Sequence, residues 1–302
     1  MTTGERTGEG TDWEPTHEIV STGDLADEVA ADTRLVAVAC ELGDRAFLTM
    51  ATDDVGDRSP HTQRILDGRL DRVDDDADRD RVDDGADLDR ADATFGGPTW
   101  RATLPDEADA LVRALTVADP EADGPLGEAH WRRWDVQRVA VHRDGRPVYR
   151  SVPHHSRFEL DAAELPAFTD RARERLADLP CAVVPTGPVA TWGDDGEVNH
   201  RAIRFETGSG VSLEHVRRVA VDRDRRELVV DWEPVGERVE REPSRVLRGV
   251  LRAFAWAVDR LGGSADPPRR LSFADGDEFR RAVAGIETAR ERVGYDFEVV
   301  EM

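Results

Sequence analysis

The chain has 302 residues, with 64 acidic against 41 basic side chains and a formal net charge of -23. All 41 basic residues are arginine; there is no lysine, one asparagine (Asn199) and four isoleucines. The absence of lysine excludes Schiff-base chemistry and the lysine-dependent phosphate loop of P-loop nucleotidases.

A GC-rich genome depletes lysine, asparagine and isoleucine codons, but that bias alone does not produce an excess of acids. A dense carboxylate surface keeps a protein hydrated in molar salt, so the sequence predicts a cytoplasmic protein of a salt-in halophile. At roughly 1 M salt the Debye length is about 3 Å. The charge then describes the solvent rather than a partner, and counterion release offers little drive for binding phosphates. These arguments weigh against nucleic acid, and a protein partner or a second copy of the chain is the class of partner expected. Cys40 and Cys181 lie far apart without a CxxC pattern, which argues against a disulfide framework or thiolate metal site. No apolar run approaches the length of a membrane span, and the first twelve residues lack a signal-like apolar stretch.

In chain order, residues 1–15 read as a disordered tail and 16–70 as a small α+β N-terminal part. The pattern there predicts a short helix near Asp24–Ala31. A strand pair, Leu35–Cys40 and Arg45–Ala51, follows, then a strand over His61–Leu66. Residues 71–93 read as an Asp-rich linker or loop: Asp71 to Asp92 holds eleven aspartates among twenty-two residues, too little apolar surface to offset its ordering entropy. The main α+β domain is placed at 94–302. Its Pro105 is expected as a first helical residue ahead of the apolar positions Leu111, Val112 and Leu115. Val139–Val141 and Val148–Tyr149 flank an Asp144-Gly145 turn, a hairpin signal.

A helix is predicted around Pro166–Asp178, and a second hairpin from Val189–Trp192 and Val198–Phe205 across Asp194-Asp195-Gly196. Val219–Val221 and Leu228–Trp232 read as two further strands. A long helix then opens at Pro243 and closes at Gly262-Gly263. Leu271–Phe273 is a short strand, Asp275 and Glu278 form a capping box for the next helix, and Tyr295, Phe297 and Val299 alternate as a final strand. Arg138–Val141 repeats as Arg218–Val221, each opening a strand–strand–helix unit, an echo that suggests an internal duplication. The fold class expected is α+β, a mainly antiparallel sheet built from hairpins with helices packed on one face.

No catalytic constellation stands out. Aligned on Gly85, the Asp-rich run puts Asp80 and Asp84 at calcium-loop positions but Val82 between them, so the pattern fails. His154-His155 lack metal-ligand spacing, and neighbours on a strand face opposite ways. Trp131 and Trp134 sit three residues apart beside Arg132-Arg133, as for one helical turn anchored in a core. Cys40 and Cys181 lie in apolar runs, as inert thiols do. Asp222 and Asp231, on neighbouring strands, are where a metal-dependent nuclease with a ribonuclease-H-like sheet would hold magnesium. The stretch Ala190-Thr191, Asp195-Gly196, His200-Arg201 is similar to the strand–turn–strand of pyridoxamine-oxidase-like flavin split barrels. By that resemblance Arg201, beside His200, would face an FMN phosphate, with a looser second version at Ala51-Thr52, His61 and Arg64. With FMN or magnesium confined to those two alternatives, no cofactor is predicted. The reading the sequence favours is a non-catalytic ligand- or protein-binding accessory module rather than an enzyme.

Overall fold

The computed structural model describes residues 13–51, 60–73, 97–116, 135–163, 165–206, 209–234, 237 and 269–302. The tail through residue 12, most of the Asp-rich stretch, Trp131, Trp134 and the helix expected from Pro243 lie outside the described residues. The fold is α+β with mostly antiparallel sheets, as expected. The chain forms two compact units, one of residues 1–19 and 23–179, the other of residues 20–22 and 180–302.

In the first unit β1 (His17–Ser21) is followed by α1 (Leu25–Leu42), β2 (Arg45–Met50), α2 (Pro60–Arg69), β3 (Asp71–Val73), β4 (Thr99–Thr103) and α3 (Ala108–Thr116). The hairpin β5 (Val136–Arg143) and β6 (Arg146–Val152), then β7 (Arg157–Leu160) and α4 (Pro166–Leu176), complete it. The strands run β3-β4-β2-β5-β6-β7-β1 across the sheet. Pairing of β2 with both β4 and β5 joins residues on either side of the Asp-rich stretch in one sheet. The β5–β6 turn uses two left-handed residues, Asp144 (φ 52°) and Gly145 (φ 79°), whose twist matches the flanking strands.

Three local expectations change in this unit. Leu35–Cys40, expected as a strand, is the second half of α1. Asp24 caps that helix, its carboxylate accepting the Ala26 and Asp27 N–H groups at 2.9 and 3.0 Å while Asp27 returns a bond to the Asp24 N–H. A helix launched this way continues through a solid apolar run, where periodicity does not separate helix from strand; Ala31, Leu35, Val38 and Ala39 are buried. His61–Leu66, also expected as a strand, lies on α2, which buries Thr62 and Leu66 at four-residue spacing, with Leu70 buried just past its end. Pro105 precedes α3 rather than opening it. The Glu107 carboxylate accepts the Thr103 N–H at 2.6 Å and its own N–H reaches the Thr103 carbonyl at 2.9 Å, so a tight turn comes before the helix.

In the second unit β8 (Cys181–Pro185) precedes a meander of four short strands: β9 (Ala190–Trp192), β10 (Gly196–Val198), β11 (Ala202–Arg204) and β12 (Gly210–Ser212). Val198–Phe205, expected as one strand, is broken by the single asparagine. Asn199 Oδ1 accepts the Arg201 and Ala202 N–H groups at 2.8 and 2.9 Å, a side-chain turn that replaces strand pairing. A second sheet has the order β15-β14-β13-β16, from β13 (Val216–Asp222), β14 (Glu227–Trp232), β15 (Arg270–Ser272) and β16 (Glu298–Glu301). Its β13–β16 pair is parallel. The β5–β6 and β13–β14 hairpins each gain a third antiparallel strand on the same flank, β7 or β15. Their turns differ, two residues in the first and a longer loop closed by Arg226 (φ 54°) in the second.

Helix α5 (Gly276–Val293) starts at Asp275, whose carboxylate accepts the Asp277 N–H at 2.9 Å. Glu278, expected to complete the cap, instead accepts the Gly193 N–H at 3.3 Å. The helix buries Phe279, Ala282, Val283, Ile286 and Ala289 in a core shared with Trp192, Val198, Ile203, Val219, Val230 and Trp232. At Gly285 the helix backbone meets the meander. A β-carbon there would fall 2.6 Å from the Ala190 β-carbon and 2.7 Å from Val198 Cγ1. Gly285→Ala is therefore expected to destabilise the protein by about 1–3 kcal/mol through overpacking, despite the better helix propensity of alanine. A urea titration in molar KCl checks this as a lower midpoint at unchanged slope.

Candidate functional site

The outer face of the β9–β12 meander follows from strand alternation. Trp192, Val198, Ile203 and Val211 point into the core, so the residues between them point away. The cross-strand register sets Thr191 beside Glu197, Glu197 beside Arg204 and Arg204 beside Gly210, with Ala202 beside Ser212 in the next row. Arg204 Nε lies 3.4 Å from Glu197 Oε1, and the Arg204 side chain is largely exposed. The row ends on Gly210, where no side chain screens Arg204. This face forms the floor of a cleft of about 660 Å³, rimmed by Asp194 and Asp195 of the β9–β10 turn. It offers two hydroxyls (Thr191 and Ser212), carboxylates and one guanidinium on short, paired strands.

The buried polar residues described in the first unit include an arginine–glutamate pair, an aspartate bonded to a tyrosine, and a histidine. Arg150 Nε and Nη2 donate to Glu159 Oε2 at 2.9 and 2.6 Å, and Arg157 Nε donates to Glu159 Oε1 at 2.5 Å. Arg150 and Glu159 are directly opposite on β6 and β7, both about nineteen-twentieths buried (6% and 5% exposed). The Trp13 ring stacks on the Arg150 guanidinium at 4.7 Å. Burial pulls the Arg150 guanidinium below its usual value, against the opposing pull of Glu159. Tyr149 donates to Asp32 Oδ1 at 2.7 Å where α1 crosses the sheet. His142, edge-on to Phe47 at 5.2 Å, is pushed down to about 4, by burial first and then by Arg138, with Asp44 opposing. Sequence reasoning missed the cleft row and the Arg150–Glu159 pair. The alternation of Thr191, Glu197 and Arg204 with apolar neighbours was the available signal for the row; the pairing of β6 with β7 had none.

The structure separates the residues singled out from the sequence. His200 is buried in the turn after Asn199, and its carbonyl accepts the Tyr295 hydroxyl at 2.9 Å. Arg201 follows it in the same turn, while His61 and Arg64 sit one turn apart on α2. Asp222 is opposite Glu227 and Asp231 opposite Arg218, which places the two acids at opposite ends of the hairpin, about 13 Å apart along the strand. Asp222 Oδ1 accepts the Arg225 N–H at 2.9 Å and Asp231 faces Arg269 at 3.7 Å. The His154 and His155 rings lie 4.1 Å apart in the β6–β7 connection. Burial pushes the Cys40 thiol up to about 12, and Cys181 is half-buried on β8. Among the described residues, no group of three or more His, Cys, Asp or Glu side chains converges on a common point.

No protein-family model, curated protein or solved structure matches the chain.

The depressed His142 makes stability depend on pH. Between about 6.5 and about 4 the unfolded chain takes up a proton that the folded chain refuses, so stability falls as pH drops through that window. The expected loss from this group is up to about 3 kcal/mol. Urea midpoints from pH 7 to pH 4.5 for the wild type and for His142→Gln check it: the wild type is expected to lose more stability over the range. Parallel curves would remove His142 as the cause.

Proposed function

We propose that this chain is a non-catalytic accessory module of the cytoplasm of a salt-in cell, and that it binds an arginine-bearing segment of a protein partner across the β9–β12 face. The observation that carries this reading is the cross-strand row Thr191–Glu197–Arg204–Gly210, the floor of a cleft whose floor and rim hold three carboxylates (Glu197 below, Asp194 and Asp195 above) to one guanidinium. A guanidinium presents a rigid fork of donors that carboxylates accept two at a time, and such short, charge-assisted bonds persist where long-range attraction is screened. The salt-in setting rests on the composition: 64 acids, 41 arginines and no lysine.

An arginine-containing tripeptide, titrated into isotopically labelled protein in molar KCl and followed by amide shifts, tests the proposal. Shifts are expected at Thr191, Glu197, Arg204 and Ser212, with Glu197→Gln weakening binding about tenfold, equivalent to the ~1.4 kcal/mol of one charge-assisted bond. Shifts confined to other elements, or none, would overturn it.

A further inference from the structure

We infer that β16 is a dimerisation edge, which pairs antiparallel with β16 of a second copy of this chain about a two-fold axis at Val300. Among the described strands β16 ends its sheet, with β13 on one side only. The ladder fixes which backbone groups remain. Met302 N–H donates to the Val221 carbonyl at 3.0 Å, and Val221 is the register partner of Glu301. In a parallel ladder the hydrogen-bonding direction alternates residue by residue. Val300 therefore turns both its N–H and its carbonyl toward β13, while Val299 and Glu301 turn theirs outward. Among the described residues neither Val299 nor Glu301 has a backbone partner on that outer side. An edge of this kind is a template for another strand.

The side chains fit a second copy of this chain in a register centred on Val300. Antiparallel pairing requires outward residues to face outward residues, which excludes any slip by one. Centred on Val300, the pairing sets Val299 opposite the partner subunit's Glu301, Val300 opposite its own counterpart, and Glu298 opposite the partner subunit's Met302. No two like charges then face each other directly, the placement that would oppose pairing. Glu301 is already neutralised within its own chain by Arg223, at 2.9 and 2.7 Å. Val299 and Val300 are half-buried, and Met302 is 64% exposed, the one exposed large apolar side chain among the described residues. Pairing covers all three.

Charge gives the dimer its dependence on salt. Each copy carries -23, and two such copies repel over about 30 Å at 0.01 M ionic strength but over only about 3 Å at 1 M. The contact is small, so association is concentration-dependent and weak, and it grows with salt.

Cysteine cross-linking at molar KCl in a Cys181→Ser background tests the geometry. The symmetric Val300 pair is a non-hydrogen-bonded one, with α-carbons about 4.5 Å apart, inside the range a disulfide spans. Oxidised Val300→Cys is expected to run as a covalent dimer, whereas Val299→Cys, displaced by two residues from its counterpart, stays largely monomeric. Sedimentation of the untagged wild type at rising concentration in the same salt is expected to climb from 33.5 kDa toward twice that mass. Val299→Pro, which removes an outward N–H and leaves the bonds to β13, is expected to stay at the monomer mass with an unchanged circular dichroism spectrum. A Val300→Arg variant gives the same readout should the proline disturb the strand. A wild type that stays monomeric, cross-linking equal at both positions or at neither, or a dimer that survives Val299→Pro and Val300→Arg, would overturn the inference.

Discussion

The contact between α5 and the meander at Gly285 is the constraint on which the second unit depends. Without a side chain at that position, the helix backbone settles onto Ala190 and Val198, and the apolar face of α5 reaches Trp192, Val198 and Ile203 directly. Four strands of three residues each would be marginal as an isolated sheet. Buried on one face by a helix of five turns, they hold their register, and the alternation that buries one set of side chains turns Thr191, Glu197 and Arg204 to the solvent. The cleft is thus a by-product of how the core is closed.

Much of this was legible in the sequence, and the failures have physical causes. Hairpins announced themselves where turn chemistry was explicit, as at Asp144-Gly145, and α5 where an N-cap aspartate met the apolar spacing of Phe279, Val283 and Ile286. The reading failed at Leu35–Cys40 because an unbroken run of valine, alanine and leucine carries no period; a capping box eleven residues upstream, at Asp24 and Asp27, decided the matter. It failed at Val198–Phe205 because a single asparagine outweighed the strand propensity on both sides. Of the candidate site, the residue types were visible but not their company. Glu197 and Arg204 become neighbours only through a register that the local sequence does not state.

The acid excess had a second effect on what could be read. In a chain with 64 acidic residues, a functional acid looks like any other, and paired aspartates such as Asp222 and Asp231 arise by chance on adjacent strands. Geometry removes that ambiguity. The two are held at opposite ends of a hairpin, each beside an arginine. Glu197 also lies beside an arginine, Arg204, but on a row of outward side chains that floors a cleft.

The buried pair of Arg150 and Glu159 also acts on errors of assembly. A slip of β7 by one residue along β6 would set Arg150 against Phe158 or Leu160 and leave a guanidinium in an apolar interior without its counter-charge, at a cost of several kcal/mol. Correct pairing alone lets Trp13 close over a neutralised group. Because the pair is sealed from solvent, the penalty on a mispaired chain stays in force at any ionic strength. Arg150 and Glu159 therefore work as a proofreading element of the sheet, one that rejects wrong alignments more than it strengthens the right one.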